Sequence, residues 1–205
     1  MRFRTKTLLL MGAAFCAALL LAVGALAALG AAERGTDVAL QLTARLSFLL
    51  FWLAYTGGAL ATLYGKKYLF FKRFGREFGL AYASAQLVHL GLVGWLCWIG
   101  VAPTRGAFIF FGFAVFWTYL LALASVDRLR RALGSRGWLA LRFVGLNCIY
   151  AAFAVEFFRK PLLVGGKGLF GYLPFAILII AGLILRVLAF ARRSRTRRAA
   201  LAAEW

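Results

Sequence analysis

The sequence predicts an all-α integral membrane protein, a bundle of six transmembrane helices with both termini in the cytoplasm. Three observations lead there: an extreme composition, six apolar runs long enough to cross a bilayer, and basic residues that alternate between the loops. Of 205 residues, 64% are hydrophobic and 15% charged, against about 45–50% apolar in a typical soluble domain. A soluble fold of this length has no interior large enough for that much apolar surface.

Crossing the hydrocarbon core takes about 20 apolar residues in a helix. Six segments qualify: 8–30, 38–64, 78–100, 106–126, 138–158 and 169–190. In lipid the backbone must satisfy its own hydrogen bonds, so continuous runs of this kind read as helices. The alternating pattern of a membrane barrel is not seen. The whole chain, 1–205, reads as a single transmembrane domain, with 191–205 as a basic cytoplasmic tail.

The loops assign orientation. Arg2, Arg4 and Lys6 precede the first run; Lys66, Lys67, Lys72, Arg73 and Arg76 follow the second. Arg128, Arg130, Arg131 and Arg136 separate the fourth and fifth, and Arg192, Arg193, Arg195, Arg197 and Arg198 follow the sixth. The opposite side carries only Arg34, Arg105, Arg159, Lys160 and Lys167. This is the positive-inside pattern of six crossings in a cell (inner or plasma) membrane. A net charge of +19 in a soluble domain would suggest nucleic acid; clustered between apolar runs it marks topology, and the expected partner is the lipid bilayer, not nucleic acid.

The first run, with its basic start and small residues from Ala25 to Ala32, has features of a signal peptide. A signal's apolar core is about 7–15 residues, and this run is longer, so a retained helix is expected; cleavage would leave five. The run Arg192–Arg198 reads as a stop signal rather than an anionic-lipid site. Gly165-Gly166-Lys167-Gly168 lacks the spacing of a phosphate loop and reads as a hairpin loop. Cys16, Cys97 and Cys148 each sit in an apolar run, without metal or disulfide spacing, and are expected to pack between helices. Trp52, Tyr55, Tyr64, Tyr68, Trp95, Trp98, Trp138 and Tyr172 lie near run ends and are expected in interfacial belts.

Ionisable and polar groups at membrane depth are costly and therefore informative. His89, the only histidine, falls near the middle of the third run. It can ligate haem iron, relay protons or hydrogen-bond to a neighbouring helix. Gln86, three residues earlier, shares its face. In the fifth run stand Arg142, Asn147 and Glu156. Arg142 can snorkel to the headgroups, and Glu156 lies about 21 Å further along the helix, out of its reach. Arg45 enters the second run at a depth near Glu156, and an interhelical ion pair between these two is expected. Arg186 is expected to snorkel at the end of the last run.

Three stretches resemble the ferric-reductase-like transmembrane domain, a six-helix haem-b module. They are Ala44-Arg45-Leu46-Ser47-Phe48-Leu49-Leu50-Phe51, then Arg76-Glu77-Phe78-Gly79-Leu80-Ala81 leading to Ser84-Ala85-Gln86-Leu87-Val88-His89-Leu90, and last Ser125-Val126-Asp127, Leu133-Gly134, Trp138 and Leu141-Arg142. They span about residues 44–160. In that family histidines of the third and fifth helices hold the haem. The resemblance makes His89 the candidate axial ligand and places Gln86 where some relatives have another histidine. It also places Arg142 where the fifth-helix histidine stands, and a permanently protonated arginine is a poor iron ligand. A haem b here would need water, a methionine or a second subunit as its other ligand, and Met1 and Met11 are badly placed.

The sequence holds no flavin- or nucleotide-binding pattern, so an electron carrier of this kind would draw on a separate reductase or a quinol pool. Three functions are weighed: a haem-b transmembrane electron carrier, a haem-free relative serving as scaffold or partner subunit in a homo- or hetero-oligomer, and a small transporter lined by Arg45, Asn147 and Glu156. The transporter lacks an inverted repeat or broken-helix pair; Pro174 is the one proline well inside an apolar run.

Overall fold

The structure is a computed structural model that describes residues 5–164 and 169–202. Its long elements are α1 (Thr5–Leu29), α2 (Glu33–Tyr64), α4 (Gly75–Trp98), α5 (Arg105–Ala124), α6 (Asp127–Val164) and α7 (Leu169–Ala202). A 3₁₀ turn (Gly65–Tyr68) and the short α3 (Leu69–Arg73) join α2 to α4. The described residues are thus all-helical, with six helices long and apolar enough to cross a membrane. The expected loop 165–168 lies outside the described residues.

Two helices run further than their apolar segments. α6 starts at Asp127 rather than near Trp138, but as two helices joined across a non-helical kink at Gly134 (φ 67, ψ 173), a positive-φ conformation that glycine adopts without a Cβ clash. α7 continues to Ala202, so most of the expected basic tail is helix. Hydrophobicity reports where apolar surface is needed, whereas the backbone ladder continues while nothing breaks it. At the far end of α4 a closing motif does break it. The Gly100 N–H donates to Cys97 O at 3.2 Å and the Val101 N–H to Leu96 O at 3.1 Å, with Gly100 at φ 83, a glycine C-cap. Thr104 then caps α5, accepting from the Ala107 N–H at 3.4 Å.

Packing divides into two cores. In the first, Ala14, Ala18, Ala22 and Ala25 of α1 meet Ala39 of α2 and Ala81, Ala85 and Val88 of α4. Small residues at helical spacing let backbones approach closely, which is how apolar helices associate without a hydrophobic driving force. The second core is aromatic. Phe48, Phe51 and Tyr55 of α2 pack with Tyr82 of α4, with Tyr150 and Phe157 of α6, and with Tyr172 of α7. Helix α2 therefore packs against α1, α4 and α7 and meets α6 through its aromatic side chains.

Three buried threonine hydroxyls are satisfied within their own helices: Thr43 bonds to Ala39 O at 2.9 Å, Thr56 to Trp52 O at 2.7 Å and Thr118 to Ala114 O at 2.9 Å. The outer surface is apolar, with Leu20 and Phe190 each 74% exposed. Cys16 and Cys97 lie on that surface and only Cys148 is part-buried, so two of the three do not pack between helices as expected. The aromatic expectation also divides. Trp98 and Tyr64 are exposed near helix ends, whereas Tyr55 and Tyr172 are buried in the aromatic core. Phe48, Phe51 and Tyr55 recur at helical spacing, which turns all three toward one face.

Candidate functional site

His89, midway along α4, is half-buried and faces α2, where its Nδ1 lies 3.0 Å from Thr43 Oγ1. The Thr43 hydroxyl also contacts Ala39 O at 2.9 Å and Leu40 O at 3.1 Å. Both carbonyls only accept, so the hydroxyl proton goes to one of them and an oxygen lone pair accepts from Nδ1–H. This arrangement suits the Nδ1–H tautomer of the neutral ring. Gln86 has its Oε1 buried without a hydrogen-bond partner among the described residues.

The Arg45 guanidinium is 5.5 Å from the ring centroids of Tyr172 and of Phe175, both on α7. These ring faces are a contact that the expected pairing of Arg45 with Glu156 did not include. Aromatic faces accept a weakly hydrated guanidinium at low desolvation cost, and those rings lie closer to Arg45 than sequence depth alone suggests. Arg186 also departs from expectation. It turns inward rather than snorkelling, and stands 4.1 Å above the ring of Tyr55. Tyr55 stacks on Tyr150 at 4.6 Å and 12°, and its hydroxyl donates to Asn147 Oδ1 at 3.0 Å. The Tyr150 hydroxyl donates to Ile179 O. Three helices are joined by this polar network inside the aromatic core.

A cavity of about 190 Å³ opens at the end of the bundle where α2 finishes and α4 begins. Lys72 and Arg73 of α3, Arg76 of α4, and Arg130 and Arg142 of α6 line it, with Trp138. Its floor is apolar, formed in part by Phe51, Leu121 and Ile149. The space exists because Ala54, Gly75, Gly79 and Ala122 present little or no side chain to it. Arg76 Nε is buried without a hydrogen-bond partner among the described residues. Arg142 thus serves as a wall of this cavity. Four of the cations lining it were legible in the sequence as topology signals and Arg142 as a snorkelling residue at the position of the fifth-helix histidine; what reveals the cavity is the conjunction of three helix ends that the chain keeps far apart.

The residues present do not fit a haem held between the third and fifth apolar helices. Arg142, at the position of the fifth-helix histidine, shares its cavity with Gly75 and Arg76, whereas His89 lies about 20 Å beyond Arg76 along α4. Rings already span α4 and α6, with Tyr82 and Phe153 at 5.9 Å and Phe51 5.4 Å from Tyr82.

Comparison with known proteins finds no family model, no curated protein and no solved structure that matches the chain. The resemblance to the ferric-reductase-like domain rests on the quoted residues alone.

Proposed function

We propose that the chain is a multi-pass protein of the cell membrane, both termini cytoplasmic, that acts without haem as a scaffold or partner subunit on a ferric-reductase-like framework. Membrane insertion is supported by the inverted surface: large apolar side chains such as Leu20 and Phe190 point outward while Thr36, Thr43, Ser47 and Thr56 are buried. Monomeric soluble proteins rarely expose contiguous apolar surface beyond a few hundred Å². Orientation is supported by the loop charges.

The observation that carries the haem-free reading is the aromatic packing between α4 and α6, with Arg142 standing where the fifth-helix histidine would be. The electron-carrier reading draws on the hydrogen bond between His89 and Thr43, because an Nδ1–H held by a neighbour is how metal-ligating histidines are oriented. An absorption spectrum separates the two. Protein purified from haem-replete cells is expected to show no Soret band. A band that shifts on reduction and disappears in His89→Ala would replace this proposal with the electron carrier.

A further inference from the structure

The geometry points to a binding site for a phosphate-bearing anion in the cavity between α3, α4 and the start of α6. Positive loops suffice to orient a membrane protein when they are merely present near a helix end; Arg195 and Arg198 are exposed and meet that requirement. Lys72, Arg73, Arg76, Arg130 and Arg142 do something orientation does not need, since they converge on one cavity. Among the described residues no carboxylate lines it. The nearest acids in sequence are Glu77, whose Oε2 is itself buried without a hydrogen-bond partner among the described residues, and Asp127, 3.9 Å from Arg130.

Converging cations repel one another, and a buried guanidinium nitrogen without an acceptor carries a desolvation cost. An anion relieves both. Guanidinium groups match phosphate oxygens with paired N–H donors, and three of the wall residues on α4 and α6 are arginines. The rest of the cavity narrows the ligand class. Trp138 lies at the wall and the floor is apolar, which suits a phosphate attached to a glycerol or acyl portion. The volume admits a headgroup rather than a macrocycle or a nucleotide with its base. Two sources share this chemistry: the headgroup of an anionic phospholipid in the adjacent leaflet, and free phosphate from solution.

The test uses the full chain in zwitterionic detergent. Its melting temperature is followed against phosphatidylglycerol, against phosphatidylcholine, and against inorganic phosphate balanced with chloride of equal ionic strength. Stabilisation by phosphatidylglycerol but not phosphatidylcholine establishes a lipid source; stabilisation by phosphate over chloride establishes a soluble one. In either case the double variant Arg76→Gln, Arg142→Gln should weaken the apparent affinity by about tenfold or more, the scale of one lost charge-assisted hydrogen bond. Arg195→Gln with Arg198→Gln, which removes equal charge outside the cavity, should leave it unchanged. Should the first pair fail to fold, Ala122→Leu decides, because it fills the cavity without altering charge and should abolish the stabilisation. Two results overturn the site: neither phosphate form stabilises the protein beyond its control, or the Arg195, Arg198 variant loses as much as the cavity variants.

Discussion

A threonine hydroxyl whose proton is committed to a carbonyl of its own helix still offers a lone pair sideways, and Thr43 uses it to hold His89. Interhelical hydrogen bonds of this kind average about 0.6 kcal/mol in membrane proteins and reach about 1.7 kcal/mol. Thr43→Val keeps the shape and removes the acceptor, so it should lower stability by about 1 kcal/mol, while Thr43→Ser should lose less; thermal melts in detergent give both values. Equal losses for the two would assign the effect to packing of the methyl group instead. A second residue-scale prediction concerns neighbouring glycines. A Cβ on Gly57 would meet Phe71 O at 2.5 Å, whereas one on Gly58 would meet nothing within 4 Å. Backbone cannot move aside like a flexible side chain, so Gly57→Ala should cost about 1–3 kcal/mol, the range of overpacking. Gly58→Ala should be neutral or gain about 0.5–1 kcal/mol from helix propensity. A matched loss in both variants would refute the close approach of α2 and α3.

Helix α1 illustrates what an element contributes. Its alanines face α2 and α4, with Ala18 fully buried, while Ala13 is on the outer face. Ala18→Leu should force α1 outward and lower stability by about 1–3 kcal/mol; Ala13→Leu, facing outward, should change little. Melting temperatures of the two variants, measured side by side, check the helix's rotation, and the opposite ranking would mean that α1 docks on another face. At this scale much was legible. Apolar length located all six long helices, because a run of about 20 apolar residues has few other stable conformations in lipid. Their extensions were not legible, since polar residues such as those that follow Phe190 in α7 continue a helix without needing to be apolar. Partners were read less well than elements. Sequence depth suggested Glu156 for Arg45 but not the faces of Tyr172 and Phe175 that its guanidinium meets, because helix rotation depends on how a whole interface packs. Similarly, His89 was legible as the distinctive polar residue of its helix, whereas the cavity, assembled from three helix ends, was not.

For the molecule as a whole, the six helices alternate in direction, so one end collects the cations that the sequence distributes over four separate stretches. Contacts at that end agree: Arg192 Nη1 donates to Leu63 O at 2.6 Å and Arg193 Nη2 to Thr62 Oγ1 at 2.6 Å, joining the end of α7 to that of α2. At the other end, Trp95 Nε1 donates to Ala31 O at 3.0 Å. If loop charge sets orientation, the basic end faces the cytoplasm and the connection between α4 and α5 faces outward. Single cysteines test this in a background with Cys16, Cys97 and Cys148 replaced by alanine. Ala102→Cys, exposed between α4 and α5, should react with a membrane-impermeant maleimide in intact spheroplasts; Ser135→Cys, exposed at the start of α6, should react only after lysis. The reverse pattern would invert the topology. It would also move the arginine-lined cavity to the outer leaflet, away from the cytoplasmic phosphate pool, so that the orientation of the bundle decides which anions this basic cavity can meet.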